Sequence, residues 1–207
     1  MRVIENILEK EFNNIKLSDL SNKECLLLSY LSMLRVGKII KFYCKHEEFA
    51  GLSFIDDFYY EVEKRLFYDY EIPNNKIDDY LDRCEEIIPI IENYNNNYTS
   101  IKESALINQL YSIVEELFYF ISIQSKEFEL IDKEACKSFI FLPANIIDTF
   151  IKDMYASEEE TNNIDINIES IKLIEEIDRI KNDKKMIKED HMSIKNIMNK
   201  YINLDLI

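Results

Sequence analysis

The sequence has few of the residues that interrupt regular structure. Its 207 residues include only two glycines, three prolines and no tryptophan. Sheet proteins of this length need many turn residues, so the shortage argues against a sandwich or a barrel and favours long helices. The two glycines, Gly37 and Gly51, stand alone, and a phosphate-binding loop needs several close together.

Histidine and cysteine are also scarce, which argues against most metal and nucleophile chemistry. The two histidines, His46 and His191, lie in neither Glu-x-x-His nor His-Glu-x-x-His spacing. Cys44 lies two residues before His46, and side chains so spaced on a helix do not face each other. The sequence therefore predicts no metal, no cofactor and no catalytic residue. It predicts reduced, unpaired thiols at all four cysteines, which are Cys25, Cys44, Cys84 and Cys136.

Long uninterrupted apolar runs are missing as well. The run CLLLSYLSML has about ten residues, too few to span a bilayer, and Glu115 and Glu116 interrupt the longer one from 105 to 123. The first residues, MRVIENILEKEF, lack the charged and then apolar pattern of a signal peptide. We expect a soluble cytoplasmic protein that does not enter a membrane.

Acidic residues are abundant, and they are unevenly distributed. The formal net charge is −15, and the segment 47–92 has fourteen acidic residues against four basic ones. Such a field repels nucleic acids and favours a basic protein partner. The candidate residues for a partner-binding acidic face are Asp56, Asp57, Glu61, Glu63, Asp78, Asp79, Asp82, Glu85 and Glu86.

Apolar spacing predicts an all-α, up-and-down-like bundle of about six helices. Two helices are apolar on most faces, one starting near Asn22 and one near Thr99, and these should be central. Pro89 should end a helix that begins at Lys76, which leaves 89–98 as a joint between helices. A helical region from about 131 to 155 should break or bend at Pro143.

The C-terminal part has a different pattern. A polar stretch at 157–166 predicts a linker between a bundle domain at 1–156 and a helical extension at 167–207. The extension could be one long helix or two short helices with a break at KNDKK. Apolar residues in the extension recur at heptad spacing, which predicts a homodimer seam formed by Ile187, His191, Ile194 and Met198. Lys184 and His191 interrupt the seam; they either set the choice of partner or lie exposed.

The segment RCEEIIPIIENYNNNYTSIKESALINQLYSIVEEL resembles the YjaG-like family, a group of bacterial proteins known as domain of unknown function 416. GKIIKFYCKHEEF and NIIDTFIKDMYA are similar to other segments of that family. The similarity covers about 20–156, although Cys44 is followed by KHEEFAGLS where the family has Glu-Arg and a proline. The resemblance implies an all-helical cytoplasmic protein and no particular activity.

Two functional hypotheses follow. The first is a non-catalytic acidic binding module, such as an immunity protein or inhibitor of a basic toxin or nuclease, or a housekeeping adaptor. The second is a helical bundle that binds or converts a small molecule in a pocket between helices. The carboxylate pairs Asp56/Asp57, Asp78/Asp79 and Glu85/Glu86 could act as acid and base, but on exposed helix faces they favour the first hypothesis.

Overall fold

The computed structural model describes residues 14–95, 101–155 and 164–189, and also residues 10, 194, 196–198 and 201. These ranges contain no β-strand, which confirms the all-α prediction. Short 3₁₀ segments at Glu47–Phe54, Ile123–Ser125 and Phe128–Leu130 link some of the helices. The long helices of the described ranges are α1 (Asn22–Tyr43), α2 (Ile55–Tyr68), α3 (Asn74–Asn95), α4 (Ile101–Ser122), α5 (Lys133–Tyr155) and α6 (Ile164–Glu189).

Helix α1 is the centre of the bundle, as its apolar faces predict. A capping box starts it: the Ser21 hydroxyl accepts from the Glu24 amide at 3.2 Å, and the Ser21 amide donates to the Glu24 carboxylate at 2.6 Å. From Cys25 to Gly37 every side chain of α1 is buried, because α5, α6, α2 and α4 all pack on it. Even so, no helix of the described ranges has both the length and the apolar character needed to cross a bilayer.

Gly37 allows α2 to pack closely against α1. A Cβ atom added at Gly37 would lie 2.9 Å from Cε2 and 3.1 Å from Oη of Tyr59. The Tyr59 ring cannot easily move, since it is buried and its hydroxyl donates to the Met33 carbonyl at 2.8 Å. Glycine at this mid-helix position is therefore explained by close approach of a neighbouring ring.

We expect Gly37→Ala to lower the free energy of unfolding by roughly 1–2 kcal/mol. Overpacking a filled core typically costs about 1–3 kcal/mol, and the better helix propensity of alanine recovers up to about 1 kcal/mol. Gly51→Ala is the matched control, because its added Cβ would meet only Ile87 Cδ1 at an ordinary 3.4 Å. Urea unfolding of both variants measures the difference, and equal stabilities would contradict the packing explanation.

Helix α3 continues through Pro89 to Asn95, so the prediction that Pro89 ends it was wrong. The predicted joint at 89–98 is helical as far as Asn95, and residues 96–98 lie outside the described ranges. Proline removes one backbone donor, but Glu85, whose carbonyl would have accepted that bond, is exposed and can be hydrated. The inward face meanwhile stays apolar past the proline at Ile87 and Ile91, and its burial favours continuation.

Helix α5 likewise includes Pro143 without ending there. The side chain of Ser32 on α1 donates to the Ile140 carbonyl at 2.9 Å, one turn before the proline. The carbonyl that loses its helical donor at Pro143 is that of Phe139, and the Ser32 bond supports the adjacent carbonyl, that of Ile140. The extensive contact between α1 and α5 supports the helix on both sides of this point.

Helix α6 is part of the bundle core, which corrects the predicted division into a domain and an extension. It begins at Ile164, inside the predicted linker, and it runs without a break through KNDKK. It packs on α5 and α1, and its apolar residues belong to the same core as theirs. Residues 157–163 lie outside the described ranges.

The predicted homodimer seam is likewise mostly internal. Ile187 and Ile194 are fully buried within the single chain, and Met198 is 4% exposed. A face already covered by the chain itself cannot serve as a dimer surface in this conformation, which corrects the prediction. Lys184 pairs with Asp19 at 2.9 Å, so its partner is intramolecular, whereas His191 lies outside the described residues.

A buried ionic cluster joins α6 to α1, and we call it the Arg35 cluster. Arg35 Nε lies 2.6 Å from Glu176 Oε1, and Arg35 Nη1 lies 2.6 Å from Asp183 Oδ2. Tyr201 donates to the other Asp183 oxygen at 2.5 Å, and its ring lies 4.8 Å from the Arg35 guanidinium carbon. Arg179 reaches Glu176 from the cluster edge at 3.1 Å. Tyr201 thus contacts α6 from a position well beyond the end of that helix in the sequence.

Burial and charge act against each other in the Arg35 cluster. Burial raises the pKa of Glu176 and of Asp183, and the nearby Arg35 charge opposes that rise only in part. Burial alone would lower the pKa of Arg35, but the two carboxylates raise it, so the guanidinium stays charged. Removing one partner would leave an uncompensated buried charge, so the cluster ties α6 to the bundle.

Candidate functional site

The outer face of α3 has the largest set of exposed carboxylates among the residues predicted to bind a partner. Buried side chains at 77, 80, 84, 87 and 91 anchor one side of the helix, and the opposite side therefore points to solvent. The exposed residues on that side are Asp78, Asp79, Asp82, Glu85 and Glu86. This part of the predicted acidic face is therefore a single helix surface on a buried scaffold.

These α3 carboxylates differ in whether an ion pair already neutralises them. Asp79 pairs with Arg83 one turn later at 3.0 Å. The other four make no ion pair with any residue of the described ranges; they are Asp78, Asp82, Glu85 and Glu86. Unpaired exposed carboxylates of one sign produce a negative potential that a cationic surface would satisfy.

The predicted acidic residues of α2 have more neighbours within the chain. Asp56 pairs with Lys41 at 2.5 Å, and Asp57 lies 3.7 Å from Lys76 and accepts a hydrogen bond from Tyr80. Glu63 is half-buried. Because Lys76 and Tyr80 belong to α3, these contacts link the start of α2 to that helix.

Glu61 is a structural residue, which corrects its place in the predicted acidic face. Its side chain is 4% exposed and lies 3.0 Å from Lys76 and 3.4 Å from Lys64. Burial alone would raise the pKa of Glu61, but hydrogen bonds from Lys76 and Tyr70 and the lysine charges lower it below the ordinary value. The carboxylate holds α2 and α3 together and is not available to a partner.

The cysteines are free thiols, and their surroundings do not activate them. Burial raises the pKa of Cys25 and of Cys136 to about 11 and that of Cys84 to about 12. Burial also raises the pKa of Cys44, the thiol beside His46. A nucleophilic cysteine needs a lowered pKa, so none of the four has the environment of a catalytic thiol. His46 is exposed at a helix end against the rings of Phe42 and Tyr43.

No group of three or more histidine, cysteine, aspartate or glutamate side chains is arranged to hold a metal ion within the part of the chain that the structure describes. The Arg35 cluster brings two carboxylates together, but its arginine occupies the space between them. The side chains of Glu85 and Glu86 both lie on an exposed helix surface, whereas a catalytic acid and base need two different surroundings.

A groove of about 550 Å³ lies where the start of α1 meets the end of α2. Its walls include Leu27 and Leu66, which are apolar, and three polar residues of the first turn of α1 and its cap. Two of these polar residues, Ser21 and Glu24, already bond each other in the capping box. The groove therefore has few polar groups left to orient a small molecule.

Sequence reasoning missed two features of the surface and core. One is the Arg35 cluster, for which the available signal was an arginine inside an otherwise apolar helix. The other is a set of exposed tyrosines on α2, of which Tyr60 is 59% and Tyr68 is 64% exposed. The signal for Tyr60 was its helical position on the same side as Asp56 and Glu63.

Searches against protein-family models, curated proteins and solved structures found no match to this chain. The resemblance to the YjaG-like family therefore stays an interpretation of the sequence motifs.

Proposed function

We propose that this protein is a non-catalytic binding module that recognises a basic protein through the outer face of α3. The observation that carries the proposal is a set of four exposed carboxylates on one helix surface that make no ion pair within the described ranges; they are Asp78, Asp82, Glu85 and Glu86. The inward face of α3 is buried against α4 and the 3₁₀ segment at Glu47–Phe54, so the carboxylates lie on a fixed support. Binding to such a surface requires shape and charge but no chemical step.

An immunity protein or inhibitor of a cationic toxin or nuclease is the most concrete form of this function. Such an inhibitor shields a basic cleft, and a chain with a formal charge of −15 suits that task. The four free thiols fit a reducing compartment such as the bacterial cytoplasm. Membership of the YjaG-like family, which the motifs suggest, would be consistent with this assignment.

A second candidate is a small-molecule-binding bundle, and the groove beside Leu27 and Leu66 is the observation that favours it. Its volume lies within the range of ligand sites. We rank it below the binding module because two of the three polar residues in its walls, Ser21 and Glu24, are already bonded to each other. Thermal melting with a panel of small metabolites tests it, and an increase in Tm that Leu27→Trp abolishes would support it.

Charge reversal on α3 tests the proposed function. Affinity purification from the source cell, with inspection of neighbouring genes for a toxin, supplies the partner. We expect Asp78→Lys with Asp82→Lys to lower the association rate by about tenfold or more, because opposed charges steer encounter. The wild-type rate should also fall as salt rises, since charges are screened beyond about 8 Å at physiological ionic strength. Stopped-flow measurement at several salt concentrations gives both results.

The matched control reverses two exposed acids on another helix, Glu175→Lys with Asp178→Lys on α6. Both side chains are more than half exposed, at 56% and 62%, and α6 packs on α5 and α1. Glu176 is unsuitable as a control because it is buried against Arg35. If the two double variants associate with the partner at the same rate, the α3 face is ordinary solvated surface and the proposal fails.

A further inference from the structure

The groove between the start of α1 and the end of α2 has one polar residue that the capping box does not use. That residue is Lys23, which is exposed and makes no ion pair with any residue of the described ranges. Its ammonium lies 5.1 Å from the centre of the Phe128 ring, a contact that positions the charge without neutralising it. A positive group therefore belongs to the wall of the groove, beside apolar side chains.

A second cation contacts the same ring and also lacks a carboxylate partner within the described ranges. Arg65 on α2 is 6% exposed, and its guanidinium carbon lies 4.6 Å from the centre of the Phe128 ring. Its hydrogen bonds go to neutral acceptors, the Gln124 side-chain oxygen at 3.0 Å and the Lys126 carbonyl. Burial lowers the pKa of Arg65, and the charge of Glu71 opposes that shift only in part. An anion nearby would stabilise such a buried charge.

The groove also has a hydrogen-bond donor close to Lys23 in the chain. The Ser21 hydroxyl accepts from the Glu24 amide, and a serine hydroxyl has one proton of its own to donate. The Glu24 carboxylate belongs to the same groove and accepts from the Ser21 amide. One ammonium and one hydroxyl suit a head group with a single negative charge, because the Glu24 charge would repel a dianion more strongly.

The rest of the groove wall is apolar. It consists of Leu27, Leu66 and Phe67, and the two leucines are each 4% exposed. The volume of about 550 Å³ is within the range of small-molecule sites. A ligand that fits both parts of the wall has a hydrocarbon body as well as a charged head, since covering apolar side chains is favourable in water.

We propose that the groove binds a carboxylate with a hydrocarbon body, such as a medium-chain fatty acid. The Lys23 ammonium and the Ser21 hydroxyl donate to the carboxylate, and the charge of Arg65 adds a favourable potential. The hydrocarbon body covers Leu27 and Leu66. This inference rests on the second candidate function, to which it adds the class of ligand, and it does not depend on the α3 face.

Octanoate is the probe, titrated into the full chain below the concentration at which it forms micelles. We expect it to saturate one site per chain. Two comparison compounds divide the ligand into its parts: 1-octanol has the hydrocarbon with a neutral head, and acetate has the charged head alone. Both should bind at least about tenfold more weakly, because each lacks one of the two contacts. Isothermal titration calorimetry measures the affinities.

Lys23→Met removes the ammonium and retains an unbranched apolar side chain. We expect it to weaken octanoate binding by about tenfold, the usual effect of losing a hydrogen bond to a charged group. Lys23→Arg retains the charge and should retain binding. Lys45→Met is the matched control, because Lys45 is exposed beyond the other end of α1 and its loss changes the net charge equally. Thermal melting checks that each variant is folded.

Five results would overturn the proposal. They are no binding of octanoate, uptake of octanoate without saturation, 1-octanol binding as tightly as octanoate, equal affinity of the Lys23→Met and Lys45→Met variants, and tighter binding of octyl phosphate than of octanoate. The second result indicates a nonspecific surfactant effect, and the last would assign the groove to phosphate esters.

The outcomes also distinguish this inference from the proposed functions. If a metabolite raises the Tm in a way that Leu27→Trp abolishes but octanoate does not bind, the small-molecule candidate stands and the carboxylate assignment fails. If octanoate binds as expected while Asp78→Lys with Asp82→Lys leaves association with the basic partner unchanged, the groove stands and the α3 proposal fails.

Discussion

Replacing Arg35 with leucine lowers the free energy of unfolding by about 3–5 kcal/mol, the usual cost of breaking a buried ion pair from one side. Glu176 and Asp183 would then be buried, at 0% and 2% exposure, without the guanidinium that lies 2.6 Å from each. Arg179 contacts Glu176 only from the edge and is 30% exposed. Since small domains are stable by about 5–15 kcal/mol, this single substitution removes a large part of the total. Urea unfolding followed by circular dichroism measures it.

Two further variants identify the cause of that loss. Arg83→Leu breaks the exposed pair with Asp79 and should cost less than about 1 kcal/mol. Leucine or methionine at all three charged positions of the cluster, 35, 176 and 183, should recover most of the lost stability, because an apolar core needs no counter-charge. An Arg35→Leu protein as stable as the wild type would show that the cluster contributes little to docking α6.

The loss of unfolding free energy caused by Arg35→Leu should become smaller as the pH falls. Folded-state pKa values of Glu176 and Asp183 lie above the ordinary 4.5 and 3.8. A raised carboxyl pKa favours the folded state at low pH, and that contribution is lost as the pH rises through the folded value. Without Arg35 the pKa values of both carboxyl groups rise further. The stability of the variant therefore continues to decrease up to a higher pH. Unfolding curves for the variant at pH 5 and pH 8 check the direction, and greater stability at pH 8 would contradict the assignment.

A chain ended at Ala156 should lose its cooperative thermal transition. Among the residues that the structure describes, this deletion removes the buried Tyr201 ring and six buried aliphatic or methionine side chains, each of which stabilises the fold by about 1.5–3 kcal/mol when fully buried. It also removes both carboxylates that pair with Arg35 and uncovers the surfaces of α1 and α5 on which α6 packs. The six side chains are Leu173, Ile177, Ile180, Ile187, Ile194 and Met198.

A shorter deletion is the control for this experiment. Removing residues 202–207 retains Tyr201 and every contact described for α6, and should leave the transition cooperative. Calorimetry and light scattering distinguish a folded chain from an aggregated or non-cooperative one. If the chain ended at Ala156 melts cooperatively near the wild-type temperature, then residues 1–156 form an independent domain, as the polar stretch after Ala156 first suggested.

The amino-acid sequence alone determined the helical class and the central position of α1. Both follow from local properties: scarce glycine and proline leave few turns, and an apolar residue on every side of α1 requires cover on every side. The close approach at Gly37 could also be anticipated, because a glycine inside a helix is unfavourable unless packing requires it. The exposed carboxylates of α3 followed from the apolar spacing of its other face.

Only the tertiary structure decided what covers each face and which charges are neutralised. A heptad pattern on α6 and beyond its end is the same whether its partner is a second chain or α1 and α5 of its own chain. Ile187 and Ile194 could therefore be assigned only from packing. Glu61 and Glu176 look like their exposed neighbours in the sequence, yet each is buried against a cation from another helix. Burial and ion pairing depend on contacts distant along the chain, and a local pattern does not contain them.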